Sequence, residues 1–198
     1  QEEQLGTGHA VMMAEHYIDD EDEVLILCGD TPLIKGETLK EMTKIKSEGY
    51  AAVVMSAVED DPTGYGRIIR DESNDFMRIR EQKDASEEEK AIKEINAGMY
   101  IINGKLLKEN LSKLSVNNAQ REYYLTDVLE HIKNAGHRIG VYQADKMEIM
   151  GVNSRLQLSE AERIMRLDVN KMHMANGVTL IDTNSTYIDK NVKIGRDT

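Results

Sequence analysis

Between Glu23 and Asp30 the chain reads EVLILCGD, and between Ala51 and Asp60 it reads AAVVMSAVED. Each run keeps apolar residues at consecutive positions instead of alternating them with polar ones, the pattern of a strand covered on both faces. The segment between them, GETLKEMTKIKSEG, spaces Leu39, Met42 and Ile45 at helical intervals and closes on Gly49, which predicts a helix. Two buried strands bracketing a helix predict a parallel sheet with right-handed crossovers, and hence an α/β layered domain. Further strands are predicted at GRIIR, FMRIRE and INAGMYIING, and helices at KLLKENLSKL, LTDVLEHIKNAG and RLQLSEAERIMRLDVNKMHMA. Near the start, Val11, Met12, Ala14 and Ile18 share one side of an amphipathic helix fed by Gly6-Thr7-Gly8. Pro32 and Pro62 fall in loops beside strands.

The pattern changes near Asn176. From there GVTLIDTNSTYIDKNVKIGRDT loses helical spacing and repeats apolar or small residues every sixth position: Leu180, Thr186 and Val192 in one row, Ile188 and Ile194 in another. A six-residue rhythm predicts the first coils of a left-handed parallel β-helix. One coil cannot bury its own face, so this tail is expected to be poorly anchored unless it packs elsewhere.

Length and charge narrow the function. A chain of 198 residues supports one well-packed domain with an appendage. The net charge of −11 offers no broad attraction to nucleic acid or to an anionic membrane, so an anionic substrate needs a local basic site or a metal ion. The single cysteine, Cys28, excludes an intramolecular disulfide. With no secretory leader and no long apolar span, a cytoplasmic location is expected.

Several short segments carry candidate chemistry. Gly6-Thr7-Gly8 fits an ordinary cap, a phosphate cradle, or a place where the backbone recognises a planar ligand. In CGDTPL, Asp30 stands at the carboxyl end of a predicted strand, where ligands of open α/β sheets collect; it can hold a metal ion or cap the following turn. Gly64 and Gly66 in DPTGYGRIIR serve either a tight turn or close approach to a ligand. Glu81 and Lys83 in EQKDA, two apart at a strand end, share a face. They are either solvated charges or a sugar-hydroxyl acceptor beside a cationic phosphate partner. Asn96, inside the apolar strand EINAGMYI, either ties down a loop or faces a polar ligand. Thr126 and Asp127 in NNAQREYYLTD read as helix capping, as does Asn153 or Ser154 in GVNSRLQLSEAE. The five histidines lack metal-ligand spacing.

The succession QLGTGHAV, CGDTPLI, DPTGYGRIIR, EQKDA, EINAGMYI, NAQREYYLTD and GVNSRLQLSEAE closely resembles the uridyltransferase part of the bacterial bifunctional N-acetylglucosamine-1-phosphate uridyltransferase / glucosamine-1-phosphate N-acetyltransferase family. The resemblance runs from residue 1 to about 165, and the tail resembles the start of that family's acetyltransferase β-helix. It implies a Rossmann-like α/β fold with a mixed, mostly parallel sheet and flanking helices. It divides the chain into a uridyltransferase domain over 1–154, a connecting helix over 155–175 and the first β-helix coils over 176–198.

By the same resemblance, Gln1 would bond the uracil edge, the main chain at Gly6 and Thr7 would pack against the base, and Gly29 would lie beside the nucleotide. Asp30 and Asn153 would ligate Mg²⁺ as the catalytic centre. Gly66, Glu81, Asn96 and Thr126 would hold N-acetylglucosamine, with Tyr124 near its acetyl group. The reaction implied is Mg²⁺-dependent transfer of UMP from UTP to N-acetylglucosamine 1-phosphate, giving UDP-N-acetylglucosamine and pyrophosphate for cell-envelope precursors. The parent would be a homotrimer through its β-helix, acting in the cytoplasm without nucleic acid or membrane partners. No segment matches the family's glycine-rich loop with its arginine and lysine, or most of the β-helix. These 198 residues are therefore expected to be a fragment without turnover of its own. The rival readings are another sugar-1-phosphate nucleotidyltransferase and a non-catalytic nucleotide-sugar binding module.

Overall fold

The longest strand, β5 (Glu94–Asn103), organises the sheet in a computed structural model that describes residues 1–198. The chain divides into two compact units: Gln1–Cys28 with Lys35–Ile149, and Gly29–Ile34 with Met150–Thr198.

In the first unit, β2 (Ala52–Val58) runs antiparallel along one edge of β5, and β6 (Ile139–Gln143) lies parallel to β2 beyond it. The other edge of β5 takes β1 (Glu23–Ile26) along its second half and β3 (Arg67–Arg70) near its start. The hairpin partner of β3 is β4 (Phe76–Arg80), so the path reads β4-β3-β5-β2-β6. The expected mixed α/β sheet is present, but the expectation that it is mostly parallel is corrected: β2–β6 is the one parallel pair. β1 and β2 do share a direction, because each is antiparallel to β5, yet β5 separates them. Apolar runs report burial and carry no signal for strand direction.

Burial separates the two runs that look alike in sequence. β2 is inaccessible from Ala52 to Ala57, whereas Glu23 and Leu25 of β1 are exposed and Val24 and Ile26 half-buried. β6 escaped the hydrophobic reading because its five residues, IGVYQ, follow a helix without a long apolar run.

Helices cover both faces, as the layered reading requires. On one side lies α2 (Gly36–Ser47), packed on β2, β5 and β6 with Met42 fully buried. Gly140 admits it closely, since a β-carbon there would stand 2.9 Å from Ile45 Cγ2. The first turn of α2 is capped from far along the chain: buried Glu148 accepts from Thr38 Oγ1 at 2.6 Å and from Lys35 N at 3.2 Å through Oε2. On the other side α4 (Gly104–Leu111) and α5 (Thr126–Asn134) bury Leu107, Leu129 and Ile132 against Ala52, Val54 and Ile102. Each such side chain contributes about 1.5–3 kcal/mol by leaving water. The start of the chain forms α1 (Thr7–Met12) and a 3₁₀ turn at Glu15–Tyr17, and α3 (Glu87–Lys90) is one turn closed by a Ser86/Glu89 capping box.

The second unit is built on α6 (Arg155–Ala175), whose N-cap is Ser154, accepting from Gln157 N at 3.2 Å. Beyond it residues 176–198 form turns and bends. The tail nevertheless packs on the helix. Asn170 is fully buried and donates through Nδ2 to the carbonyls of Thr183 and Thr186, both at 2.9 Å. Leu180, Thr186, Ile188 and Ile194 are half-buried, while Val192 is exposed.

Candidate functional site

Three groups of predicted residues occupy distinct places. The first surrounds Gly6, which precedes α1 with φ +108°. The segment Glu122–Leu125 runs against it: Tyr123 N donates to Leu5 O and Gly8 N to Tyr123 O, both at 2.8 Å, and Leu125 N donates to Thr7 Oγ1 at 3.1 Å. A β-carbon on Gly6 would stand 2.6 Å from Tyr123 O, and one on Gly8 2.9 Å from the same atom. Glycine at both positions is thus required by the chain's own backbone, and no ligand need be invoked for it. Beside this contact an open pocket of about 310 Å³ is lined by Gln1, Gln4, Gly6, Thr7, Ala10 and Glu122. Gln1 lies exposed with Nε2 at 3.3 Å from Gly6 O and 3.0 Å from His9 Nδ1.

The second group gathers where β4 ends. Glu81 accepts from Thr126 Oγ1 at 3.1 Å, and a β-carbon on Gly66 would stand 3.4 Å from both Glu81 carboxylate oxygens. Asn96 N donates to Gly66 O at 2.8 Å. Tyr124 OH donates to Asp84 Oδ2 at 3.1 Å. Beside Glu81 lies a cavity of about 130 Å³ with Arg80, Glu81, Asp84, Asn118, Tyr124 and Asp127 on its walls. Buried Arg67 holds the loop before Gly66 by donating to Gln82 Oε1 at 2.7 Å and to the carbonyl of Tyr65.

Local geometry bears on several readings that the sequence left open. Asn96 ties down its own strand: Oδ1 accepts from Gly98 N at 3.0 Å, where φ is +73°, and Nδ2 donates to Tyr100 OH at 2.7 Å. Thr126 does not cap α5 with its hydroxyl, which goes to Glu81. The shared face expected of Glu81 and Lys83 is corrected, because β4 ends at Arg80 and both residues belong to the turn. Glu81 is drawn inward there while Lys83 stays exposed. Sequence reasoning misses Asp84 as a site residue, since its partners Ala119 and Tyr124 are distant in sequence.

The pocket is electrostatically costly. Burial lifts the Glu81 carboxyl above the usual carboxylate range; the Thr126 hydroxyl opposes this, and the charges of Asp127, Asp84 and Glu122 add to it. Burial and the neighbouring Glu130 lift Asp127 likewise. Burial also pushes the Tyr124 phenol up to about 12, so it remains a donor at neutral pH. A carboxyl whose pKa is raised on folding favours the folded state only while protonated, so stability falls as pH rises from the unfolded carboxylate range through the folded value. Glu81→Gln is therefore expected to raise the thermal midpoint by a few degrees at pH 7, with the gain vanishing below about pH 4. Melting curves at both pH values check this, and an equal gain at both would refute it.

The third group belongs to the second unit. Val152 N donates to Asp30 O at 2.8 Å, drawing the Asp30 turn against Gly151. A β-carbon on Gly151 would stand 3.3 Å from Asp30 Oδ2 and 3.4 Å from Asn153 Nδ2, so the two exposed side chains reach the same open point. Ser154 does the capping of α6, which leaves the Asn153 amide free of that task. A half-turn of that amide presents its oxygen. A carboxylate and an amide oxygen over a cradle without a β-carbon suit a hard divalent cation such as Mg²⁺, whose remaining coordination is normally completed by phosphates and water. Gly29 has open space where a β-carbon would be.

Fold and sites together define a Rossmann-like layered α/β domain with ligand-sized pockets and an oxygen-donor pair. A family model described as nucleotidyl transferase matches residues 1–149, and the chain belongs to that family. It is 56% identical to the "Bifunctional protein GlmU" of Caldanaerobacter subterraneus subsp. tengcongensis over 199 residues and of Clostridioides difficile over 200. Identity to the protein of the same name from Alkaliphilus metalliredigens is 52% over 200 residues. Each alignment covers all of this chain and 44% of the relative, so the chain spans less than half the length of the curated relatives it matches. No helix is long and apolar enough to cross a membrane.

Proposed function

We propose that this chain forms most of the site that transfers UMP from UTP to N-acetylglucosamine 1-phosphate, releasing pyrophosphate. The observation that carries the reading is the meeting of Asp30 and Asn153 over Gly151. In this reaction a phosphate oxygen of the sugar phosphate attacks the α-phosphorus of UTP, and the bond to the bridging oxygen breaks as pyrophosphate leaves. The protein's part is positioning and charge neutralisation.

Asp30 and Asn153 hold Mg²⁺ through oxygen donors. Bound there, the ion neutralises charge on the phosphates. The open pocket at Gln1, Gly6 and Thr7 takes the uracil, with the Gln1 amide on its polar edge and Gly29 near the nucleotide. The cavity at Glu81, Asp84 and Tyr124 takes the sugar, with Gly66 and Thr126 adjoining the Glu81 carboxylate and Asn96 beside Gly66. There the Thr126 hydroxyl orients the Glu81 carboxylate to accept from sugar hydroxyls, Asn96 keeps the strand beneath Gly66 in shape, and Tyr124 borders the acetyl group.

The domain assignment that accompanies this reading places uridyltransferase residues over 1–154, a connecting helix over 155–175 and the first coils of a left-handed β-helix over 176–198. The whole protein is then a cytoplasmic homotrimer with a second, N-acetyltransferase activity; the word "bifunctional" in the relatives' name supports the presence of a second activity.

The reading is tested by titrating the chain with UDP-N-acetylglucosamine, UDP-glucose and ADP-glucose in Mg²⁺. UDP-N-acetylglucosamine is expected to bind about tenfold more tightly than either alternative, an energy gap of roughly 1.4 kcal/mol. Equal or tighter binding of ADP-glucose would assign the chain to a different sugar-nucleotide reaction.

A further inference from the structure

The turn after β4 sets Glu81 and Asp84 three residues apart, with Asp84 N donating to Glu81 O at 3.0 Å. Glu81 holds the start of α5, and Asp84 grips the segment between α4 and α5. Glu81 takes the Thr126 hydroxyl, while Asp84 takes two donors: Ala119 N reaches Oδ1 at 2.9 Å and Tyr124 OH reaches Oδ2 at 3.1 Å. Gln120 Nε2 donates to the same phenol oxygen at 2.9 Å. The segment itself lacks helix or strand from 115 to 125 and is closed by Asn118, which donates to Glu122 O at 2.6 Å and accepts from Glu122 N at 3.1 Å.

This segment walls two pockets at once, and its attachments differ on the two sides. Towards Gly6 it is held through the main chain of Tyr123, bonded to Leu5 and Gly8, and through Leu125 N on Thr7. Towards the smaller cavity its tip and the Tyr124 ring are held by the side chain of Asp84. We propose that Asp84 is a positioning residue for sugar recognition, latching segment 117–124 so that Tyr124 forms a fixed wall for the acylamino group of the sugar. This rests on the sugar-nucleotide reading of the same cavity. Asp84 acts through Tyr124 and Ala119. The base pocket, with its own main-chain bonds, is independent of it.

The test is equilibrium titration of the chain and its variants with UDP-N-acetylglucosamine and with UMP, which lacks the sugar. Asp84→Ala is expected to weaken UDP-N-acetylglucosamine about tenfold and UMP by less than about twofold. Asp84→Asn restores most of the affinity, because its amide oxygen accepts from Ala119 and its NH₂ donates to the Tyr124 oxygen. Tyr124→Phe, which removes a single hydroxyl and is the variant to rely on if Asp84→Ala does not fold, weakens the sugar nucleotide about threefold. The double variant Asp84→Ala/Tyr124→Phe is no weaker than Asp84→Ala, since both disable one latch.

Three results would overturn the proposal: unchanged sugar-nucleotide affinity in both Asp84→Ala and Tyr124→Phe, equal losses for UMP, or no rescue by Asp84→Asn. Failure of the parent chain to bind UDP-N-acetylglucosamine while UMP still binds would overturn the sugar assignment itself, and the latch with it. The parent chain's own titration separates that outcome from the other three.

Discussion

Asp30→Asn is expected to lower UMP transfer by about two to three orders of magnitude, measured in the protein that carries this chain with UTP, sugar phosphate and Mg²⁺ supplied. The size follows from charge. On the proposed reading, triphosphate and sugar phosphate would approach each other on a chain of net charge −11, and a divalent ion would supply the local cation that its composition withholds. Replacing the carboxylate removes the only anion of the oxygen pair over Gly151 while keeping its shape. Stability should stay within about 0.5 kcal/mol of the parent. The Asp30 side chain is exposed, and its turn is held by its main-chain carbonyl, which accepts from Val152 N. A second readout needs no turnover: the gain in UTP affinity on adding Mg²⁺ should disappear in the variant. Transfer at the parent rate, or a Mg²⁺ gain that survives, would remove Asp30 from the metal site.

The acidic pocket at Glu81 and the oxygen pair at Asp30 answer different demands. Glu81 and Asp127 are held with raised pKa values inside a cavity where Asp84 adds further charge. Such crowding lowers stability, and carboxyl groups held this way in a cavity are candidates for ligand binding as well as for holding the segment before α5. A neutral polyol with several hydroxyl donors fits acceptors of this kind.

How much of this was legible in the sequence depends on the range of the interaction concerned. Helices such as α6 and α2 could be placed because side-chain periodicity is local, and Ser154 and Gly49 mark their ends. β2 and β5 were visible as apolar runs. Strand direction was not, because β5 inserts between β1 and β2 through pairings that no local pattern encodes. β6 was missed for the same reason: its burial comes from β2 and α2, far along the chain. Site residues divide similarly. Asp30 stood out by its place after an apolar run, but its neighbour Asn153 was supplied by family resemblance. Asp84 was hidden, since its partners Ala119 and Tyr124 lie more than thirty residues away. Residues that ligands touch were easier to suspect than residues that hold the walls.

Gly6→Ala is expected to cost about 3 kcal/mol or more of unfolding free energy. Two separable effects add. The first is conformational, because φ of +108° at Gly6 is a backbone state that a residue with a β-carbon rarely adopts. The second is steric: the new carbon would stand 2.6 Å from Tyr123 O and 2.9 Å from Tyr123 N, both backbone atoms that cannot rotate away. Relief requires that Glu122–Leu125 move off α1, breaking the bonds from Tyr123 N to Leu5 O and from Gly8 N to Tyr123 O. UMP affinity should accordingly fall more than about tenfold, since Gly6 and Glu122 line the same pocket. Gly49→Ala isolates the first effect. Its φ is +88°, yet open space surrounds the position where the methyl would go, so the cost there is only about 1 kcal/mol. Urea unfolding of the two variants measures the difference between them, and that difference is the contribution of the close approach. If Gly6→Ala costs no more than Gly49→Ala, segment 122–125 yields freely and the base pocket has no rigid floor.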